Sequence, residues 1–251
     1  GTVTGRISHS EPNLGNLPKQ GGIRGIYKAD SEHFLLSLDY SQLEVCLEAN
    51  ITGDANLAKI FVEGLSKHDI TASELGVSRD VAKTLNFALQ YWCSAYKVSQ
   101  LLKVSIKEGE RIWAKYWNIY SGPKALKEKT DGMVRSGEPI VSLFGRRRRF
   151  TPGPRPVWSG DFRQAYNFVI QSPGADITSR AFFLSHERLV RLGWGQGLFT
   201  VHDELLMSIR KEHFVEAEKL VLNTMIEVGT ELALAIPLKA ESSGPMERWL
   251  D

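Results

Sequence analysis

The sequence predicts an α+β fold: a small antiparallel sheet with helices, and a long helical segment inserted between two acidic strand ends. Three observations carry this. Phe34 to Leu38 is a short apolar run ending at Asp39, the pattern of a buried strand. Leu198 to Val201, a polar His202-Asp203-Glu204 tip, and Leu205 to Ile209 read as two strands joined by a turn. Between these runs lie several stretches bounded by helix start and stop signals.

In chain order, the stretch through Gly25 is rich in Gly, Pro, Asn and Ser and is expected to be mostly irregular. Ser41, with Glu44 three residues on, matches a capping box and predicts a helix to about Ile51. Gly53 and Asp54 mark a turn before a short helix over 55–62. Ser78 suits the N-cap of a helix running to about Leu89, and 95–102 and 107–119 also read as helices. Pro123 fits the first turn of another, ending near Gly137. Val141 to Phe144, Gly145 and the arginine block after it read as a hairpin, and Pro152, Gly153, Pro154 and Pro156 as a loop. Helices are expected over 163–171 and 176–192, broken at Pro173 and Gly174, and a final amphipathic helix over 212–235.

The 251 residues suffice for one large domain or two modest ones. With 42% hydrophobic and 24% charged residues, the composition is that of a globular protein. No apolar run approaches the ~18 residues of a membrane span, so no membrane partner is expected. The chain opens on Gly1 rather than Met and enters a motif within a few residues, the pattern of a fragment. Cys46 and Cys93 are isolated and lack metal-ligand spacing, which argues against a zinc site or a disulfide framework. Net charge is only +2, but Arg146 to Arg149 form one cationic block, with Arg155 and Arg163 beyond it. Such a block suits phosphate, and equally a solvated surface run.

Three constellations could carry chemistry. Asp39 and Asp203 each follow an apolar strand, with Glu44 and Glu204 nearby. Converging carboxylates suit magnesium, and a pair of such ions suits phosphoryl transfer. Arg79, Lys83, Phe87 and Tyr91 recur every four residues. On a helix they share one slowly drifting face, two cations then two rings, as a nucleoside triphosphate would require. Arg163, Asn167 and Gln171 repeat at the same interval and could donate to the minor-groove acceptors that every base pair carries. Each row taken singly also fits an ordinary amphipathic or solvated helix face, and each Asp a simple strand-ending turn. His68 and His202 stand alone. No Walker pattern, GxGxxG or GxSxG is present.

Six segments in order resemble the family-A DNA polymerases, the bacterial DNA polymerase I and phage replicase group. TGRISHSEPNLGNLP (4–18) is similar to TGRLSSxxPNLQNIP, DYSQLE (39–44) to DYSQIE, and RDVAKTLNFALQYW (79–92) to RxxxKxxNFGxxYG. LFGRRR (143–148) matches directly, RQAYNFVIQSPGAD (163–176) resembles RxAxNxPIQGxAAD, and VHDEL (201–205) matches the last motif. The resemblance implies a palm over 1–62 and 160–251, and helical fingers over 63–159 between the two Asp motifs. It implies a template-directed DNA polymerase core working on a DNA primer-template with dNTPs. Two magnesium ions, replaceable by manganese, would be held by Asp39, Asp203 and the carbonyl of Tyr40. Arg79, Lys83 and His68 would grip the triphosphate, with Lys83 as general acid. Phe87 would pack on the sugar, Tyr91 would stack near the templating position, and Glu44 would exclude the 2′ hydroxyl, with Gln42 beside it. Arg6, Arg163, Asn167, Gln171 and His202 would contact primer-template.

The chain departs from the family at Trp92 and Ala88, where Gly is usual, at Cys46 for Arg, and at Ser172 for Gly. A ring at Trp92 is expected to crowd the template path. The family's thumb and exonuclease would precede Thr4, so poor processivity, or reliance on a processivity partner, is expected of this chain alone. An intracellular setting is implied, bacterial, viral or organellar. Alternatives sharing parts of the pattern are a catalytically weak nucleic-acid-binding remnant, a single-subunit RNA polymerase and a metal-dependent nuclease. The paired carboxylates argue against the first, Glu44 with Phe87 against the second, and the triphosphate row against the third.

Overall fold

A computed structural model of the chain describes residues 2–11, 13–17, 22–90, 92–150 and 159–249. The chain divides into two compact units, Gly1–Glu44 with Gln171–Asp251, and Val45–Ile170.

The first unit is built on a four-stranded antiparallel sheet. Its strands are β1 (His33–Tyr40), β4 (Gly195–Val201), β5 (Glu204–Arg210) and β6 (Ala240–Met246), in the order β4-β5-β1-β6. Of the three apolar runs read from the sequence, Phe34 to Leu38 and Leu205 to Ile209 fall in the two central strands, and Leu198 to Val201 in an edge strand. Period-two alternation gives the sheet two apolar faces. Leu36, Leu38 and Tyr40 of β1 share one face with Leu205, Met207 and Ile209 of β5, all buried. Helix α9 (Phe214–Glu231) brings buried Val221, Met225 and Val228 to this unit, and the Tyr40 hydroxyl donates to the Met225 carbonyl at 3.0 Å. Leu35 and Leu206 belong to a second cluster, with Ala29, Val201 and Trp249, flanked by Tyr27 and Phe199. Edge strand β6 escapes the sequence reading because AESSGPM is polar and holds Gly244 and Pro245. An edge tolerates both residues, and its pairing with β1 shifts register between Leu36 and Leu38.

The second unit is mostly helical: α2 (Ala55–Val62), α3 (Lys67–Leu75), α4 (Arg79–Gln90), α5 (Ala95–Leu102), α6 (Ile106–Ile119) and α7 (Ser121–Ser136). The expected hairpin forms from β2 (Ile140–Val141) and β3 (Arg147–Arg148). Side-chain caps set the starts: Asp54 on α2, Ser66 on α3, Ser94 on α5 and Ser105 on α6. Gly109 of α6 lies so close to α5 that an added Cβ would meet Ser99 at 2.6 Å. Helix α3 is absent from the sequence reading, although Ser66 before it and Gly76 after it are start and stop signals.

Two expectations differ from the structure. The capping box does not form. The Ser41 hydroxyl donates to Glu241, Glu44 takes Arg6, and α1 (Leu43–Thr52) starts after Gln42 in the left-handed region, φ 54°. Nor does the chain break at Pro173. One helix, α8 (Ser159–Leu192), runs through it. An interior proline costs about 3 kcal/mol, but Val169, Ile170, Ala175 and Ile177 on its two sides are all buried. Their packing outweighs the lost backbone bond. The final helix also starts later than expected, after a 3-10 turn over Lys211–His213.

Asp54 is buried, and its carboxylate accepts from the backbone of Asn56, Leu57 and Gly122. Replacing Asp54 with Ala removes a cap and orphans buried donors. It is expected to cost about 2 kcal/mol, measured as a lower midpoint in urea unfolding.

Candidate active site

In the sheet unit, Asp39 is the penultimate residue of β1 and stands opposite Glu204 on β5 and Glu241 on β6. Its side chain is exposed, while Leu38 and Tyr40 beside it turn into the core. Asp203 precedes Glu204 in a two-residue turn whose first residue, His202, has φ 57°. The hairpin thus brings the two aspartates, remote in sequence, to one end of the sheet. Left-handed backbone on residues other than glycine costs energy and gathers at functional sites.

Like charges set opposite one another on a sheet repel, and the surroundings answer this carboxylate by carboxylate. Glu204 accepts from Ser37 Oγ at 2.5 Å, Trp249 Nε1 at 2.9 Å and Arg24 Nη1 at 3.3 Å. The Arg24 guanidinium in turn lies 4.4 Å over the Trp249 ring. Glu241 takes the Ser41 hydroxyl. Glu204 is therefore a structural carboxylate, although its neighbour in sequence is a candidate ligand. Asp203 is different. Desolvation raises its pKa, and Glu44 adds to this, against its own backbone hydrogen bond, Arg6 and His202.

Arg6 and Glu44, assigned from sequence to primer-template and sugar, are paired with each other at 2.6 Å. The Tyr40 phenol is committed to the core, and burial pushes its pKa up, so a ligand role rests on its backbone carbonyl. Gln42 is exposed. A cleft of about 250 Å³ is lined by Arg6, His9, Asn13, Gly15, Thr200 and His202. His9, which sequence reasoning passed over, is anchored there through Nε2 to the Thr200 carbonyl at 2.7 Å. Its only signal is its place inside the first motif.

In the helical unit, Arg79, Lys83 and Phe87 are exposed along α4, and Tyr91 lies outside the described residues. His68 on α3 is brought to them, with its ring centroid 6.0 Å from that of Phe87. Desolvation lowers the His68 pKa first, followed by the fields of Arg79, Lys83 and Lys67. Of the residues expected to meet a triphosphate, Arg79 and Lys83 thus supply positive charge close to the His68 ring. Arg79 is also paired to Asp69 at 2.9 Å, both side chains exposed. On α8, Arg163 is exposed and Asn167 half-buried, and Gln171 falls in the sheet unit. Trp92, φ 56°, does not stand free. It stacks on Trp117 at 4.0 Å and 2°, meets Tyr166 edge-on, and lies under Lys127.

Asp39 and Asp203 offer hard oxygen donors, and among the described residues no group of three or more His, Cys, Asp or Glu is set to hold a metal. Two carboxylates with water and phosphate completing the shell is a magnesium arrangement, and a dication would offset the desolvation of the half-buried Asp203 carboxylate. Glu204→Ala is expected to lose about 3–5 kcal/mol of stability, because Arg24 is left buried beside it. Asp203→Asn is expected to lose none. In thermal unfolding, magnesium should stabilise the unmodified chain and leave Asp203→Asn unmoved. Equal responses of the two would remove Asp203 from the metal site.

The sequence model of DNA polymerase family A matches residues 1–251. The chain is 35% identical over 266 residues to a thermostable DNA polymerase I of Thermus aquaticus, covering 99% of this chain and 31% of that protein. It is 32% identical to DNA polymerase I of Treponema pallidum, covering 96% of this chain and 26% of the relative. The chain thus spans about a third or less of these relatives. Among solved structures, the POL domain of Pol1 from M. smegmatis, in complex with DNA primer-template and dNTP, superposes with a TM-score of 0.86. The identity there is 28%, over 99% of this chain and 46% of that one. No described helix is long and apolar enough to cross a membrane. A match over the full length, with both aspartate motifs at one sheet end, establishes that the chain belongs to DNA polymerase family A.

Proposed function

We propose that the chain is the core of a template-directed DNA polymerase, adding a deoxynucleoside monophosphate to a primer 3′ hydroxyl with release of pyrophosphate. The observation that carries this reading is the approach of the Asp39 and Asp203 positions at one end of the sheet, beside a Glu204 that is already neutralised. The palm would comprise 1–62 and 160–251, and the fingers 63–159.

Asp39, Asp203 and the Tyr40 carbonyl would hold two magnesium ions, or manganese. Such ions, when bound, activate an attacking hydroxyl and neutralise charge on the leaving phosphate. The chain's own residues bind and orient. Arg79, Lys83 and His68 take triphosphate oxygens, a role suited to their clustering on neighbouring helices. Lys83 protonates the leaving pyrophosphate. Phe87, exposed on α4, offers a flat apolar surface to the sugar. Tyr91 serves the templating position. Glu44, restrained by Arg6 and flanked by Gln42, excludes a 2′ hydroxyl. Arg6, Arg163, Asn167, Gln171 and His202 contact primer-template. Positioning and charge neutralisation supply most of what phosphoryl transfer needs.

The test is primer extension with magnesium and a labelled primer-template, with dNTPs or rNTPs supplied separately. Extension is expected with dNTPs alone. Asp203→Ala should abolish it while duplex binding persists, and residual turnover above about a tenth of the unmodified rate, a loss of less than ~1.4 kcal/mol of transition-state stabilisation, would remove the metal role. A duplex-binding chain inert with every nucleotide would favour the remnant reading.

Phe87→Tyr is expected to raise dideoxynucleotide incorporation, read as earlier termination in a sequencing ladder. An unchanged ladder would remove Phe87 from the sugar site.

A further inference from the structure

Asn86 stands on α4 beside Phe87, three residues after Lys83, but unlike those exposed neighbours it is 3% exposed. All four of its amide hydrogen-bonding positions have partners. Oδ1 accepts from Tyr116 Oη at 3.0 Å and lies 3.1 Å from Thr71 Oγ1, whose single hydrogen is shared between Oδ1 and the Lys67 carbonyl at 2.8 Å. Nδ2 lies 3.4 Å from the Lys67 carbonyl and 3.0 Å from His68 Nδ1. Around it, Tyr120 Oη contacts Thr71 Oγ1 and donates to the same Lys67 carbonyl. A carbonyl can only accept, so the group facing Lys67 must be the amide nitrogen, and the orientation of Asn86 is fixed. That nitrogen has only hydrogens to offer His68. Nδ1 must therefore be the bare, accepting nitrogen of the imidazole.

We propose that Asn86 is a positioning residue for triphosphate binding: it holds His68 as the neutral tautomer with its hydrogen on Nε2, so that the ring presents a fixed N–H donor to phosphate oxygen. The inference rests on the reading of His68 as a triphosphate contact and adds a chemical form to it. The charged groups acting on His68 are Lys67 and Asp69 on its own helix and Arg79 and Lys83 on α4. The three cations disfavour a further positive charge, and only Asp69 opposes them. A protonated ring would also set Nδ1–H against the amide hydrogens. The cluster thus takes its charge from Arg79 and Lys83, and a directed neutral donor from His68. Because a neutral donor has no proton to lose in the ordinary working range, phosphate affinity at this site does not follow histidine titration.

The experiment uses nitrogen-15-histidine-labelled chain, its Asn86→Asp and His68→Gln variants, and their combination. Heteronuclear NMR reads the tautomer without nucleotide, and dATP affinity is measured with magnesium between about pH 7.5 and 9, where Lys and Arg stay charged. In the unmodified chain, the ring should show a bare Nδ1 and a protonated Nε2, with dATP affinity flat across this range. In Asn86→Asp, a carboxylate faces Nδ1, the proton moves there and the pKa rises. As pH then climbs, the ring keeps Nδ1–H and loses the Nε2 donor, and affinity falls by about tenfold, the size of one lost charge-assisted hydrogen bond. In the His68→Gln background, Asn86→Asp should bring no such pH dependence, because the glutamine amide donates in any state. A protonated Nδ1 in the unmodified chain, or a flat profile in Asn86→Asp with dATP binding retained, overturns the inference and leaves the polymerase reading intact. Absence of dATP binding by the unmodified chain overturns both the triphosphate role and the inference, while the NMR tautomer still reports whether the amide orients the ring.

Discussion

The sheet unit depends on how it disposes of negative charge. One end of it sets Asp39 between Glu204 and Glu241, with Asp203 one residue from Glu204. Unrelieved, this row would push the strands apart, and the hairpin that delivers Asp203 would have no fixed position. Relief comes at Glu204, whose carboxylate gathers Ser37 from β1, Arg24 from the N-terminal segment and Trp249 from near the C-terminus. A buried charge met by three donors is tolerable where an isolated one is not. The same bonds join segments remote in sequence beneath the turn. In the proposed mechanism the cations fall to the two aspartates, while Glu204 is satisfied internally.

The helical unit uses a neutral version of the same device. Asn86 gathers Thr71, Tyr116, His68 and the Lys67 carbonyl into one network in which each amide position is filled. Fully satisfied buried networks rigidify and specify a single arrangement. Here that arrangement sets α3 against α4 and aligns His68 with Phe87. In both units, a group that touches no ligand in the proposed mechanism determines the conformation of one that does.

Much of this was legible in the sequence. The central strands, the hairpin tip and most helices follow from apolar runs and caps, because those signals are local. The aspartates were legible as a pair only through their shared context, strand then acid. Features that depend on contacts between distant residues were not. Glu204 reads as a partner of Asp203 until Trp249 and Arg24 are seen on it. Ser41 and Glu44 have capping-box spacing, yet each finds a stronger partner from another segment. Pro173 reads as a break because its penalty is local, whereas the burial that overrides it is tertiary. Strand β6 has no apolar signature, since an edge needs little more than backbone hydrogen bonds. Tyr91, Pro152, Gly153, Pro154 and Pro156 lie outside the described residues.

Trp92 takes a left-handed conformation, one that glycine adopts freely and a residue with a side chain adopts at a cost. The indole offsets that disadvantage by lying flat on Trp117, with Tyr166 against its edge and Lys127 above. The consequence is one of coupling. Trimming the indole to a hydrogen would open a void beside Trp117, so the effects of changes at 92 and 117 do not add: each ring is worth most while the other is there to lie against.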